Sequence, residues 1–217
     1  EENLEVLEQV KNELDSAVQA ELLSDVPLGA FLSGGVDSPL ICYFARNKVD
    51  QIFNTFSMGS DSPTHDESDQ TMKYAKQLET CHHSIYMNAE NSLLALEKAV
   101  ESLAEPMGDF SIIPTWQVSK LAKEQVTVVL SGDGGDELFF GYERFHSVAK
   151  NHRFWNYPYW IRYYLRGLDK LFFNENHIND CILSSTPGES HMGLHSRFPI
   201  DKLQQIAPDL INYEMPK

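Results

Sequence analysis

Residues 28–38 read LGAFLSGGVDS, and this stretch decides the fold of the chain. The run from Leu28 to Leu32 is short and almost entirely apolar, which is typical of a strand buried on both faces. Ser-Gly-Gly ends it, and the next segment, Ser38 to Arg46, is predicted to be a helix. A buried strand that passes through a glycine-rich turn into a helix is a unit of a parallel α/β sheet.

The same unit occurs again further along the chain. Residues 126–130 form the clearest strand in the sequence, and they lead into a second glycine-rich loop, Ser131 to Glu137. Weaker strands are predicted over 52–58 and 82–87, and helices over 4–22, 67–78, 91–103 and 113–123. The alternation predicts an α/β fold with a doubly wound, mainly parallel sheet and flanking helices, in which ligands collect beyond the carboxyl ends of the strands.

The chain has 217 residues, enough for one large domain or a domain with an appendage. We predict a core over 1–150 and a helical, aromatic-rich appendage of the same domain, truncated at its end, over 151–217. Aromatic residues crowd 154–164, and we expect them to pack helices together rather than to stack on bases. Pro187 and Gly188 are predicted to lie in a loop.

The charge balance limits the ligands that the protein can take. Lys and Arg total 17 against 32 Asp and Glu, a net charge of −15, which disfavours nucleic acid as a partner. An anionic ligand would need backbone N–H groups and Mg²⁺ to hold it. The sequence opens on Glu1 with neither a leader nor a membrane-spanning run, so we expect a cytoplasmic fragment of a larger protein without a membrane partner.

The first glycine-rich loop has the composition of a phosphate site. Gly34 and Gly35 let the backbone turn sharply and bring several N–H groups within reach of phosphate oxygens. Ser33 and Ser38 add hydroxyl donors, and Asp37 is placed where Mg²⁺ could bridge it to phosphate. A plain strand-to-helix turn with a capping Ser or Asp is the structural alternative. The spacing is neither that of the Walker phosphate loop nor that of the dinucleotide-binding loop.

Both loops resemble known signatures. The stretch Ser33–Ser38 resembles the pyrophosphate motif of the N-type ATP pyrophosphatases, which cleave ATP between the α and β phosphates. The stretch Ser131–Glu137, with Gly141-Tyr142 after it and 105–114 before it, is similar to the second signature of the asparagine synthetase family, glutamine-hydrolysing type. The resemblance covers roughly residues 26–145. It implies an adenine nucleotide alpha hydrolase-like fold that uses ATP and Mg²⁺.

The resemblance also assigns roles residue by residue. It places Asp37 and Asp136 at the metal, where the two carboxylates could face each other across the strand ends, and Asp133 where the family has an acidic residue important for forming the acyl-adenylate. The residues that it implies for ATP binding are Phe31, Ser33, Gly34, Gly35, Asp37, Ser38, Met58, Ser131 and Gly132.

The implied reaction is adenylation of the aspartate side-chain carboxylate, followed by amidation with ammonia. In the full enzyme, ammonia would come from glutamine through a glutaminase domain, and a homodimer is a further expectation. Pro39 and Phe140 depart from the family pattern, so a related ligase that acts on another carboxylate, such as a β-lactam-forming enzyme, stays open. Two other classes stay open: a different pyrophosphatase-type ligase or thiolase, which the match at Ser131–Glu137 disfavours, and a catalytically silent ATP-binding domain.

Two further pairs of residues stand near the predicted strand ends. His82 and His83 are adjacent on a strand and must point to opposite faces, so we expect them to pack or to hydrogen-bond rather than to chelate a metal together. Asp66 and Glu67 follow the second strand. We expect them to start a helix, with a contact to substrate or nucleotide as the alternative.

Overall fold

The computed structural model describes residues 2–62, 66–105, 108–109, 111–172 and 180–195. Four strands in these ranges form one parallel sheet. They are β1 (Leu28–Phe31), β2 (Asn54–Ser60), β3 (Cys81–Met87) and β4 (Val128–Leu130). The helices around the sheet are α1 (Glu2–Glu21), α2 (Asp37–Arg46), α3 (Ser68–Gln77), α4 (Ala89–Glu101) and α5 (Ile112–Lys123).

The sheet has the order β3-β2-β1-β4, which makes it doubly wound. The chain moves from β1 outward to β3 and then returns to place β4 on the other side of β1. The direction of winding therefore reverses between β1 and β4, and such a switch point leaves a crevice beyond the carboxyl ends of the two strands. The predicted fold class is confirmed, and both glycine-rich loops begin at this crevice.

Helices cover both faces of the sheet, as the apolar run in β1 predicts. On one face, Ala30 and Leu32 pack in a buried cluster with Val18 of α1 and with Phe44 of α2. On the other face, Phe31 packs against a second cluster that contains Phe56, Ala122 and Val126. Successive residues of a strand point to opposite faces, so a central strand covered on both sides has to be apolar throughout.

The predicted elements are all present, with shifted ends. Strand β2 is shifted by two residues, since it begins at Asn54 rather than at Ile52 and continues to Ser60. Ile52 is 78% exposed and lies outside the sheet. At the other end, Gly59 and Ser60 pair with β3, so the strand continues two residues beyond its predicted end. Residues 106, 107 and 110, which belong to the 105–114 stretch before the second loop, lie outside the described residues.

The two histidines of β3 point to opposite faces of the sheet, as predicted. The two ring nitrogens of His82 lie 3.0 Å from Thr55 Oγ1 and 3.0 Å from Ser57 Oγ on β2. His83 stacks on Phe56 on the other face, and its Nε2 lies 2.9 Å from Asn54 Oδ1. Their packing and hydrogen-bonding role is confirmed.

His82 should make the fold sensitive to mild acid. Burial, and secondarily the charge of His83, lower the pKa of His82 below its ordinary value of 6.5. The contribution of His82 to stability is therefore complete at pH values above its ordinary pKa, and it is lost as the pH falls through the lowered pKa. We expect the free energy of unfolding, measured by urea titration, to fall between about pH 7.5 and about pH 5.

The matched control separates His82 from the general effect of acid. His82→Asn should show a smaller loss of stability over that pH range, whereas replacement of the exposed His152 by Asn should leave the wild-type loss intact. Equal pH dependence in wild type and His82→Asn would contradict the assignment.

The chain divides into two compact units between Asp133 and Gly134. The described part of the second unit is helical, with α6 (Gly135–Phe139), α7 (Glu143–Asn151), α8 (Tyr159–Phe172) and α9 (Pro187–His195). Short 3₁₀ turns lie at His152–Asn156 and at Asp180–Leu183. The domain boundary at residue 150 stays a prediction, since compactness alone does not show which segments fold together. Nowhere in the described ranges is a helix both long and apolar enough to cross a bilayer.

Helix α8 buries a polar face. The Arg162 guanidinium donates to the Ile182 and Ser184 carbonyls, and Arg166 pairs with Asp169 at 3.2 Å, with both side chains about 95% buried. The side chains of Tyr159, Trp160, Tyr163 and Tyr164 are exposed, so the expected helix packing is wrong for these four. Phe154 and Trp155 of the same stretch are half-buried.

The loop predicted at Pro187 is also wrong, because α9 begins at this residue. Proline has no N–H to lose in a first helical turn, and its fixed φ suits that position.

Candidate functional site

The first glycine-rich loop, Ser33–Val36, is held by hydrogen bonds to Ser38 and within the loop itself. Ser33 N–H donates to Ser38 Oγ at 2.8 Å, and the Ser33 and Ser38 hydroxyl oxygens lie 2.9 Å apart. Gly35 N–H donates to Ser33 Oγ at 3.2 Å. The hydroxyls that the sequence assigned to phosphate therefore also shape the loop. Ser38 is buried and Ser33 exposed, so Ser33 is the hydroxyl that a ligand can reach.

Helix α2 begins directly after this loop, at Asp37. The first N–H groups of a helix have no acceptor within the helix, so those of Asp37 and Ser38 remain for an anion. Pro39 lies in the first turn, as predicted, where its missing N–H removes no hydrogen bond from the helix. At the end of β1, the thiol of Cys42 donates to the Phe31 carbonyl at 3.5 Å, and burial raises the pKa of that thiol to about 12.

The glycine at position 34 is explained by a neighbour rather than by an unusual backbone angle. Neither Gly34 nor Gly35 has a positive φ. A Cβ on Gly34 would lie 2.8 Å from the Cβ of Glu67, which precedes α3. Gly34 N–H also donates to Glu67 Oε2 at 2.9 Å. Sequence reasoning placed Glu67 at a helix start but missed this contact, which joins residues 33 positions apart.

The beginning of the second glycine-rich loop lies against the first one. A Cβ on Gly132 would be 2.7 Å from the Ser38 nitrogen and 3.0 Å from the Asp37 carbonyl carbon. The backbone at 132 thus reaches the first turn of α2 at a place where no side chain fits. Two stretches nearly a hundred residues apart in the sequence meet because β1 and β4 are neighbours in the sheet.

Ser131 and Asp133 form a small turn beside this contact. Ser131 Oγ donates to Asp133 Oδ2 at 3.0 Å, and Asp133 N–H donates back to Ser131 Oγ at 3.3 Å. Both side chains are exposed. The carboxylate of Asp133 is therefore fixed near the end of β4 while it stays accessible to a ligand.

Phe31 and Met58, assigned to the adenosine, lie on neighbouring strands. Phe31 is the last residue of β1 and is paired with Phe56. Met58 comes two positions later on β2, so it stands level with Ser33, beyond the end of β1. Both residues are half-buried. Their placement at the carboxyl edge of the sheet fits an adenosine subsite, and their contact with a nucleotide stays a prediction.

Asp136 belongs to the second unit and lies in α6. Gly134, just before this helix, has a φ of 93°, a left-handed conformation that favours glycine. Gly141 N–H donates to the Asp136 carbonyl at 2.9 Å, and a Cβ at 141 would overlap Asp136 Oδ1. The position of the Asp136 side chain thus depends on Gly141. Its pairing with Asp37 at a metal stays a prediction.

Glu137, next to Asp136, is hydrogen-bonded to Tyr142 of the Gly141-Tyr142 motif. The Tyr142 hydroxyl donates to Glu137 Oε1 at 2.8 Å, and this hydrogen bond is the largest cause of the raised pKa of Tyr142. The Arg144 guanidinium lies 3.5 Å from the centre of the Tyr142 ring. Glu137 therefore holds Tyr142 within this unit.

Asp37 is the carboxylate of the first unit that the resemblance assigns to the metal, and this assignment stays a prediction. Asp37 is half-buried at the start of α2, and no hydrogen bond or ion pair within the described ranges involves its side chain. No group of three or more His, Cys, Asp or Glu side chains in those ranges could hold a metal ion. A cation here would need further oxygen ligands, and phosphate oxygens are the usual ones for Mg²⁺.

The chain is similar in sequence to known proteins. A putative asparagine synthetase [glutamine-hydrolyzing] 2 from Methanocaldococcus jannaschii is 41% identical over 63% of this chain and 27% of the relative. Asparagine synthetase [glutamine-hydrolyzing] 1 from Bacillus subtilis is 36% identical over 63% of the chain and 22% of the relative. An asparagine synthetase [glutamine-hydrolyzing] from Zea mays is 30% identical over 87% of the chain and 32% of the relative.

The chain thus spans only about a fifth to a third of the length of these relatives. Among solved structures, an NH3-dependent NAD synthetase from Campylobacter jejuni is 15% identical, covers 62% of this chain and 60% of its own, and superposes with a TM-score of 0.44. The family model for asparagine synthase matches residues 9–205. The chain belongs to the asparagine synthase family.

Proposed function

We propose that this chain carries the ATP-using part of an asparagine synthetase. One observation carries the proposal: the close approach of Gly132 to the nitrogen of Ser38, which joins the two signature loops at the switch point of the sheet. A nucleotide in that crevice would meet the pyrophosphate loop on one side and Ser131 to Asp133 on the other. Family membership supports the same reading.

The binding of pyrophosphate follows from the shape of the first loop. The N–H groups at the start of α2 and the positive end of its dipole favour an anion. If the buried Ser38 hydroxyl donates to Ser33 Oγ, the hydroxyl hydrogen of the exposed Ser33 is left for a phosphate oxygen. The residues therefore fit the β and γ phosphates of ATP without a lysine in the loop.

The chemistry then proceeds in two displacements. An oxygen of the aspartate side-chain carboxylate attacks the α phosphorus, the bond from that phosphorus to the bridging oxygen breaks, and pyrophosphate leaves with the electron pair. Ammonia next attacks the acyl carbon of β-aspartyl-AMP, AMP leaves, and loss of a proton gives asparagine. The chain's part is to align the reactants and to stabilise the charge that develops on the leaving group.

Asp37 and Asp133 have separate parts in this scheme. Asp37 would hold Mg²⁺, together with Asp136, and the cation would neutralise charge on the phosphates. Asp133 is fixed by Ser131 and is exposed at the end of β4, where it can orient the groups that react at the α phosphorus. Its side chain is one methylene shorter than the Glu of some family members, which makes its placement by Ser131 more important.

A ligase that activates a different carboxylate is the second candidate. Phe140 favours it, since this residue has a left-handed φ of 58° at a position where the family pattern usually has glycine. Such a conformation is uncommon for a bulky residue and marks a local difference from the family pattern. A bulky side chain just after the second loop, where glycine carries none, is consistent with a different acceptor acid.

Isotope exchange between ATP and pyrophosphate tests the proposal. With Mg²⁺ and aspartate, the full-length polypeptide should catalyse the exchange, because formation of β-aspartyl-AMP is reversible. Exchange should be absent without a carboxylic acid. The same assay with other amino acids and with carboxyethylated amino acids in place of aspartate tests the second candidate, a ligase that activates a different carboxylate.

The three outcomes are distinct. Exchange with aspartate supports the asparagine synthetase reading, and exchange with only another acid supports the second candidate. MgATP binding without exchange for any acid would reduce the chain to a nucleotide-binding domain and would end the enzyme proposal.

A further inference from the structure

Glu67 makes a contact with the pyrophosphate loop that the scheme above does not use. Its carboxylate accepts the Gly34 N–H at 2.9 Å, although it is exposed and could point to solvent. Glu67 is the residue that caps α3, yet its side chain makes no capping hydrogen bond to its own helix. A glutamate at this place would ordinarily interact with the first turn of its helix. Here the Glu67 carboxylate instead reaches the loop that follows β1.

The backbone of Glu67 is fixed on two sides. Asp66 accepts hydrogen bonds at 3.2 Å from the N–H of Ser60, at the end of β2, and from the N–H of Ser68, as well as a short one from the Ser68 hydroxyl. The Ser68 hydroxyl is the main cause that lowers the pKa of Asp66, which therefore stays ionised and in place. The Glu67 carbonyl accepts from both the N–H and the hydroxyl of Thr71.

The contact is also tightly packed. At Gly34, an added Cβ would lie 2.8 Å from the Glu67 Cβ and 3.3 Å from the Gln70 Cβ. The start of α3 therefore rests directly on the backbone of the loop, with no room for even one methyl group between them. Because the Glu67 backbone is fixed and closely packed, its carboxylate can hold the loop in one position.

We propose that Glu67 is a positioning residue for pyrophosphate binding, an inference that rests on the function proposed above. Its carboxylate fixes the peptide between Ser33 and Gly34, and this fixes the direction of the N–H groups that follow at the start of α2. The negative charge strengthens the hydrogen bond to Gly34. Glu67 does not touch the reacting atoms, and it acts only through the loop.

Titration with magnesium pyrophosphate measures this effect on the full-length polypeptide. Glu67→Ala removes the acceptor, and we expect its dissociation constant to rise roughly tenfold, since the loop loses a hydrogen bond to a charged group. Glu67→Gln keeps an oxygen that can accept the hydrogen bond, so its dissociation constant should rise only about threefold. Asp69→Asn is the matched control, because it removes one charge from the first turn of the same helix and should not change the constant.

Hydrogen exchange at the Gly34 amide provides a readout that does not depend on a ligand. The amide should exchange faster in Glu67→Ala than in wild type, while the melting temperature changes by no more than about 3 °C. A merely structural role would instead lower the melting temperature and leave pyrophosphate affinity unchanged in the folded variant. If Glu67→Ala does not fold, the difference between Glu67→Gln and Asp69→Asn decides.

Two failures can be told apart. If wild type binds neither pyrophosphate nor ATP, the proposed function fails, and this inference fails with it. If wild type binds and the Glu67 variants bind equally well or more tightly, the function stands and the role of Glu67 is overturned.

Discussion

Gly132→Ala should raise the dissociation constant for MgATP by about 100-fold, the scale of loss that follows a misplacement of about 1 Å. The new Cβ would lie 2.7 Å from the Ser38 nitrogen and 3.0 Å from the Asp37 carbonyl carbon. Both atoms belong to the backbone, so the clash cannot be relieved by rotation of a side chain. The first turn of α2 or the end of β4 has to move, and the N–H groups proposed to bind phosphate move with it.

Calorimetric titration with MgATP measures the constant, and Gly167→Ala is its control. Gly167 lies in α8, where an added Cβ would meet nothing within 4 Å. That variant should bind MgATP like wild type, and the gain in helix propensity should make it slightly more stable. Binding by Gly132→Ala within about twofold of wild type would show that the two loops do not form one site.

Asp37→Ala should remove the part of nucleotide binding that depends on Mg²⁺ and leave the fold intact. The Asp37 side chain makes no hydrogen bond or ion pair within the described ranges, so its loss costs only the helix-dipole contribution, about 0.3–1 kcal/mol. The dissociation constant for ATP should rise about 100-fold with Mg²⁺ present and change little in EDTA. We expect Asp136→Ala to show the same loss of Mg²⁺-dependent ATP affinity.

Asp25→Asn is the matched control for charge. Asp25 precedes β1, so it lies toward the opposite edge of the sheet from the loops, and its replacement removes one negative charge at a distance from the site. Its MgATP affinity should equal that of wild type, with or without the metal. Unchanged Mg²⁺-dependent affinity in both Asp37→Ala and Asp136→Ala would refute the metal assignment.

The sheet and its two loops could be predicted from the sequence because their causes are local. A run such as Leu28 to Leu32 has no polar face, so it has to lie between two layers, and the clusters around Ala30 and Phe31 confirm this. A glycine-rich loop after each of two strands then places a site at the carboxyl edge. Once the order of the strands is known, β1 and β4 bring those loops together.

The contacts that explain individual glycines could not be predicted in the same way. Gly34 packs against Glu67, and Gly132 packs against Ser38. Both contacts depend on how segments that are distant in the sequence come together in the fold. The sequence suggested that Gly34 was needed for a sharp turn, whereas the structure shows that it leaves room for α3. Periodicity and composition carry no information about such neighbours.

The errors in the second unit have a similar origin. Pro187 suggested a loop because proline breaks helices, but at a first helical position it is favourable. In α8 the buried face carries Arg162, Arg166 and Asp169, which satisfy one another or nearby carbonyls. Burial of charged groups needs specific partners, and the sequence did not reveal that those partners were available.

The hydrogen bonds of the Ser33–Val36 loop have a consequence for the thermodynamics of association. Its shape is set by Ser38, by Ser33 itself and by Glu67, all of which belong to the chain. Ordering a residue's backbone costs about 1–2 kcal/mol in conformational entropy, and this cost is met here during folding. A phosphate ligand that enters such a loop loses its own freedom of motion but does not also have to order the protein, so more of its contact energy becomes affinity.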